Sequence, residues 1–173
     1  MEVRTEFLEK EISMPDNIAR NIDNIGLLRE AGRLLDQVKK FGIALDQLQS
    51  ETCTISDACH VWYWLLKDDD LEQFRQAISA RFKEAIGEPH ILGYMTDPAY
   101  YHEWEGNVDQ DLQNKVEEWL SDLNPEYLLE YFNFKLRKSE TYPKHMFTES
   151  IRKVEAKDWW SLIQSKSSSE TNT

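Results

Sequence analysis

Within residues 24–49, NIGLLREAGRLLDQVKKFGIALDQLQ, two sets of apolar residues recur at intervals of seven: Ala31, Val38 and Leu45, and Leu34, Phe41 and Leu48. Seven residues are two turns of an α-helix, so both sets fall along one face of a long helix. Gly32 and Gly42 lie inside that helix. Each weakens it by roughly 1 kcal/mol relative to Ala, so packing has to hold it. The stripe suits a helix within a bundle or the seam of a coiled-coil dimer. Fewer than four clean heptads favour the bundle.

The rest of the chain carries the same period. Thr54-Ile-Ser-Asp57 has capping-box spacing, with Asp57 as a shorter substitute for the usual Glu, and predicts a helix whose buried stripe is Ala58, Val61, Trp62, Leu65 and Leu66. Asp68, Asp69 and Asp70 break that stripe and place acids where the dipole of a following helix favours them. Leu71, Phe74, Ile78, Phe82, Ala85 and Ile86 mark the third helix, with Gly87 fitting its C-terminal cap. Pro89 opens a short apolar helix with Ile91, Leu92, Tyr94 and Met95, and Asp97-Pro98 ends it. After an irregular aromatic stretch over 98–107, Leu112, Val116, Trp119, Leu120 and Leu123 stripe another helix. Pro125 opens the next, whose Leu128, Leu129, Tyr131, Phe132 and Leu136 are apolar around most of its surface and predict a central position. Pro143 opens one more through Met146, Phe147 and Ile151, and Asp158-Trp159-Trp160 leads a last short helix. Outside these helical contexts no alternation of the kind a half-buried strand needs persists over five residues. The expected fold is therefore an all-α array of seven or eight helices. An N-terminal arm is expected over 1–23, a helical domain over 24–164, and a disordered polar tail, SKSSSETNT, over 165–173.

Composition supports this reading and narrows function. With 173 residues, 40% apolar, 12% aromatic and only six Gly and five Pro, the chain can bury a real core and lacks the turn residues of a many-stranded sandwich. Its formal charge of −12 disfavours simple nucleic-acid binding, which rests on neutralising phosphates. The charge is uneven. Residues 68–130 hold 16 acids against four bases, whereas residues 131–157 hold seven bases against three acids. Any polyanion contact would use the later stretch. Cys53 and Cys59 cannot form a disulfide framework, and the first residues, MEVRTEFLEKEISM, contain no apolar run of a signal or transit peptide. Nothing approaches 18 consecutive apolar residues. An intracellular location, nuclear or cytoplasmic, and no membrane contact are the expectation.

Motifs that carry chemistry are missing or incomplete. There is no glycine-rich phosphate loop and no Gly-x-Ser-x-Gly elbow. His102-Glu103-Trp104-Glu105-Gly106 begins like a zincin motif but lacks the second histidine. Cys53, Cys59 and His60 do not have zinc-knuckle spacing, and His60, His90, His102 and His145 are scattered. The acidic runs lack EF-hand spacing. No catalytic residue, cofactor or metal ligand is assigned.

The order of the segments resembles a known family. IGLLREAGRLLDQVKKFGIALDQLQS is followed by CTISDACHVWYWLL, LEQFRQAISARFKEAI, PHILGYMTDPAYY, KVEEWL, YLLEYFNFKLRKS, KHMFTESI and DWWSLI. This resembles the region ahead of the C-terminal dimerisation segment in hAT-superfamily DNA transposases and their domesticated relatives, over roughly residues 20 to 164. The segment His90–Tyr100 is similar to that family's HFLAYLLHPKY-type stretch, and Trp159-Trp160 to its tryptophan pair. The resemblance implies part of the helical insertion of an RNase H-like catalytic domain. It also implies departures. The family's catalytic Glu segment, its two upstream Asp and its BED-type zinc finger have no counterpart in these residues. Without three acids there is no two-metal site to activate water or a 3′-hydroxyl, so no transposase or nuclease activity is expected.

The expected function is that of a non-catalytic, transposase-derived helical protein or fragment serving as an interaction module. The implied partner is a full-length transposase relative or another nuclear protein. One alternative is a DNA-binding accessory using Lys135, Arg137, Lys138, Lys144, Arg152, Lys153 and Lys157, with Trp159 or Trp160 stacking on bases. Another is an unrelated helical scaffold, or a small enzyme whose site would show itself as a deep pocket with convergent polar groups.

Overall fold

The structure is a computed structural model. It describes Asp16, Ile18 and residues 24–138 and 141–170, the side chains of Arg152 and of residues 165–170 excepted. Most of the arm expected over 1–23, and the last three residues of the expected tail, lie outside the described residues. Among the described residues the fold is all-α, with no strand. From residue 24 onward, among the described residues, eight α-helices follow in order: α1 (Ile25–Leu48), α2 (Ile55–Lys67), α3 (Arg75–Ala85), α4 (Glu88–Thr96), α5 (Trp104–Asn107), α6 (Gln110–Leu123), α7 (Pro125–Lys135) and α8 (Ala156–Glu170). Short 3₁₀ turns span Asp69–Phe74, Lys144–Phe147 and Ile151–Lys153. The chain divides into two compact units, Met1–Asp46 and Gln47–Thr173, the division falling inside the last turn of α1.

In the first unit α1 forms where the seven-residue recurrence predicts it, and Asn24 caps it by accepting from the Leu27 amide at 3.2 Å. Its buried residues are Gln37 and Ala44. The predicted stripe is not the buried one: Ala31, Leu34, Val38 and Leu45 are exposed, and Phe41 and Leu48 half-buried.

In the second unit local chemistry sets the helix starts. The Thr54–Asp57 capping box is present in both directions: the Asp57 amide donates to Thr54 Oγ1 at 3.1 Å and the Thr54 amide to Asp57 Oδ2 at 2.9 Å. Asp109 and Asn124 cap α6 and α7 through side-chain oxygens at 2.8 and 3.0 Å. Helix α2 packs on α3 and α4, and α6 packs on α4 and α7. Gly93 is where α4 approaches Ile55 closely, because a Cβ built there would lie 3.3 Å from Ile55 Cγ2. Ser56 Oγ donates to the Gly93 carbonyl across the same contact at 3.3 Å.

Two apolar clusters result. The first joins Cys59, Tyr63, Phe82, Ile91, Tyr94, Met95, Trp104, Val108, Val116, Leu120 and Tyr131. The second joins Tyr101, Phe134, Tyr142, Met146, Phe147, Trp159 and Ile163. Helix α7 supplies a residue to each, Tyr131 and Phe134, as its expected central position requires. It is not enclosed, however, since Tyr127, Leu129 and Leu136 are exposed.

Other expectations need correcting. Gly87 has φ −109° and is the N-cap of α4 rather than a C-terminal cap, and its amide donates to His90 Nδ1 at 3.2 Å. The segment 69–86 is a 3₁₀ turn followed by a helix. The segment after Pro143 is two 3₁₀ turns rather than an α-helix, because the Met146, Ile151 and Val154 amides each donate to the carbonyl three residues back. Helix α8 runs on to Glu170, past the expected boundary at 164.

Candidate functional site

The basic segment leaves fewer cations available than its sequence suggests. Lys135, at the end of α7, reaches Glu117 Oε1 on α6 at 3.2 Å and Gln113 Oε1 at 3.3 Å, with both charged side chains mostly covered. Arg137 follows α7 in the left-handed region, φ 49°. The Arg137 amide donates to the Phe134 carbonyl at 3.0 Å and the Lys138 amide to the Asn133 carbonyl at 3.1 Å, a Schellman ending with Arg where Gly is usual. Its guanidinium carbon sits 4.5 Å from the Tyr101 ring centre and 5.5 Å from that of Phe147, and Nε donates to the Tyr101 hydroxyl. Burial raises the Tyr101 hydroxyl pKa, against the opposing influence of Arg137. Lys135 and Arg137 thus tie elements of this unit together. Lys138, Lys144, Lys153 and Lys157 are exposed, but Lys138 lies in the loop after α7, Lys144 and Lys153 on separate 3₁₀ turns and Lys157 on α8, instead of on one helix face. The Arg152 side chain lies outside the described residues.

The tryptophan pair divides in the same way. Trp159 is fully buried, its indole N–H donates to the Met146 carbonyl at 2.9 Å, and its ring meets Phe134 and Phe147 edge-on. No base can stack on it, so this candidate contact becomes a core residue. Trp160 is half-buried. It lies against Phe134 with ring centres 5.7 Å apart and edge-on to Tyr142 at 6.3 Å.

Trp160 leads to a site that residue-by-residue reading missed. It forms one wall of an apolar groove of about 400 Å³. Leu92 and Thr96 come from α4, Trp119, Leu120 and Leu123 from α6, and Tyr127, Tyr131 and Phe134 from α7. Each set has the three- or four-residue spacing that puts side chains on one helix face. Leu123 and Tyr127 are each 55% exposed on the rim. Among the described residues Glu130 is the single charged group in the lining, and the Tyr142 hydroxyl donates to its carboxylate. Burial, then the Glu130 carboxylate, raise the Tyr142 pKa. The rim helices are acidic: residues 109–130 carry Asp109, Asp111, Glu117, Glu118, Asp122, Glu126 and Glu130 against Lys115 alone. Lys157, one turn before Trp160 on α8, is exposed. The volume is in the range of sites that take a small apolar ligand or the anchor side chains of a helix.

A larger cleft of about 650 Å³ is lined by Tyr63, Lys67, Phe82, Lys83, Asp111 and Lys115 among others. Its charges are mixed, and Lys67 Nζ is already held by the Gly106 carbonyl at 2.6 Å and by Asn107 Oδ1 at 2.5 Å.

Of the titratable groups singled out by sequence, the structure brings His60 and Glu103 together. His60 Nδ1 lies 3.3 Å from Glu103 Oε2, and its ring stacks on Tyr100 with centres 4.8 Å apart. Tyr100 donates to Asp57 Oδ1 at 2.5 Å. Burial would raise the Asp57 carboxyl pKa, but the bonds from Tyr100 and Thr54, with His60 nearby, outweigh it and lower the value. This network faces neither the groove nor the mixed cleft. Cys59 is buried, with its thiol pushed up to about 12 by burial, and lies 3.4 Å from the His90 carbonyl. Cys53 is half-buried at the start of α2. Among the described residues no group of three His, Cys, Asp or Glu is placed to hold a metal ion. No described helix is long and apolar enough to cross a membrane.

Compared with protein families, with curated proteins and with solved structures, the chain matches none.

Proposed function

We propose that this chain is a non-catalytic, transposase-derived helical protein that acts as a protein interaction module. Its groove, walled by α4, α6, α7 and α8, receives an amphipathic helix with basic flanks. The observation that carries this reading is the groove itself: about 400 Å³, apolar in its lining, and bordered by α6 and α7, which carry six acids against Lys115 and Lys135. Apolar anchors three or four residues apart on a partner helix would fill it, and Lys or Arg beside them would meet Asp122, Glu126 and Glu130. The partner that the hAT resemblance implies, a transposase relative or another nuclear protein, would supply that helix. The non-catalytic part of the proposal rests on the sequence, where none of the family's three catalytic acids has a counterpart. DNA cleavage by the purified chain with Mg²⁺ or Mn²⁺ would overturn it.

The groove is tested by titrating the chain with a synthetic amphipathic helix bearing Leu and Phe anchors and Lys flanks, following tryptophan fluorescence from Trp119 and Trp160. Saturable binding is expected, weakened at least tenfold by Leu123→Glu, a loss of about 1.4 kcal/mol or more, and unchanged by Lys153→Ala. Equal binding by wild type and Leu123→Glu would sink the assignment. The DNA-binding alternative predicts instead a complex with an oligonucleotide whose affinity falls steeply with salt and drops on replacing Lys144 and Lys153.

A further inference from the structure

The apolar stripe of α1 is an unbroken heptad seam whose side chains lie exposed, except Phe41 and Leu48, which are half-buried. Read as heptads, Leu27, Leu34, Phe41 and Leu48 occupy d and Ala31, Val38 and Leu45 occupy a, so every a and d position from 27 to 48 is apolar. Leu28 and Leu35, at e, widen the stripe on one side. Here Leu27 is 49% exposed, Leu34 43%, Val38 63% and Leu45 55%, with Leu28 and Leu35 both above half. The buried residues, Gln37 and Ala44, lie on the neighbouring g line instead. Together the exposed side chains present roughly 500 Å² of apolar surface, the size of the largest and often functional patch on a monomer and more than half of one partner's share in a standard interface.

We infer that this face pairs with the same face of a second copy of the chain. Coiled-coil partners are chosen largely by charges at e and g. Here those positions are Leu28, Leu35, Gly42, Gln37 and Ala44, with Glu30 the one charged residue among them. Nothing in the seam therefore repels an identical helix or selects a different one. A self-complementary stripe satisfies the two-fold symmetry of a homodimer directly. The inference is independent of the groove, which lies in the other compact unit.

The test is sedimentation equilibrium of the full chain across micromolar to hundred-micromolar concentration. Wild type is expected to shift from 20.5 kDa toward twice that mass as concentration rises. Val38→Glu should remain at 20.5 kDa throughout. Ile43→Glu removes an equally exposed apolar side chain at an f position, off the seam, and should dimerise like wild type. Circular dichroism on each variant checks that the helices persist, and Val38→Ile provides a conservative variant that should still dimerise. A wild-type chain that stays at 20.5 kDa overturns the inference, as would the face being covered by another segment of the chain or reserved for a different protein. A dimer indifferent to Val38→Glu, or equally lost in Ile43→Glu, overturns it too.

Discussion

Helix α1 and the unit from Gln47 onward use the same sequence device with opposite results. In α6, Val116 and Leu120 repeat at helical spacing and are buried against α4 and α7. In α1, Leu34, Val38 and Leu45 repeat just as regularly and remain exposed. The difference lies in what surrounds each stripe. Residues 47–170 supply large aromatic side chains that close over one another: Phe134 alone meets Tyr101, Tyr142, Phe147, Trp159 and Trp160. Residues 24–48 contain one aromatic residue, Phe41. An amphipathic pattern secures a helix, but the side chains available to cover it decide whether its apolar face becomes core or surface.

The comparison breaks most visibly at Trp159. Trp159→Ala removes a fully buried ring and its bond to Met146, and should cost about 3–5 kcal/mol in urea denaturation. Val38→Ala, measured where the chain is monomeric, should change stability by less than about 0.5 kcal/mol, as exposed sites do. Similar losses at the two positions would show that α1 is packed as tightly as the aromatic unit.

A smaller effect sharpens the account of how the aromatic unit is tied. At position 137 a non-glycine residue occupies the left-handed region, at a cost of roughly 1–2 kcal/mol, and the guanidinium on Tyr101 and Phe147 offsets it. Arg137→Gly relieves the backbone and loses the ring contacts, whereas Arg137→Ala only loses. The glycine variant should therefore be the more stable of the two by about 1 kcal/mol in thermal or chemical unfolding. Equal stability would mean that the backbone there is unstrained.

The smallest effect concerns acid. Because the Asp57 carboxyl is held below its ordinary value of 3.8, the folded state favours its ionised form. The resulting stability is full above that ordinary value and is lost as pH falls through the lower folded one. Asp57→Asn, which keeps an acceptor for Tyr100, should shallow the fall in stability below pH 3.8 and leave α1 unaffected. An unchanged acid limb in the variant would remove Asp57 from the account.

What could be read from the sequence was local. The Thr54–Asp57 box is a three-residue relation between neighbours, and it formed as the spacing predicts. Pro89 and Pro125 likewise sit in first turns. Gly87 was misleading because a glycine between two helices fits the end of one as well as the start of the next, and only its φ of −109° separates them. After Pro143, the cluster buries the adjacent residues Met146 and Phe147 together, and a 3₁₀ turn accommodates this where the predicted helix does not appear. Trp159 and Trp160 are indistinguishable in sequence, yet one is core and the other lines the groove. The groove itself was illegible because Leu92, Trp119, Tyr127 and Trp160 belong to four helices, and only the fold brings them together.

The contrast between a closed aromatic unit and a helix with its seam exposed is tested most directly by amide hydrogen exchange on the full chain at rising protein concentration. The account predicts that amides of Ile25–Leu48 exchange more slowly as concentration rises, while those of Ile55–Lys67 and Gln110–Leu123 hold the same protection throughout. Protection of Ile25–Leu48 that is equally strong at every concentration would mean that the seam is already covered within one chain, and the contrast would be lost.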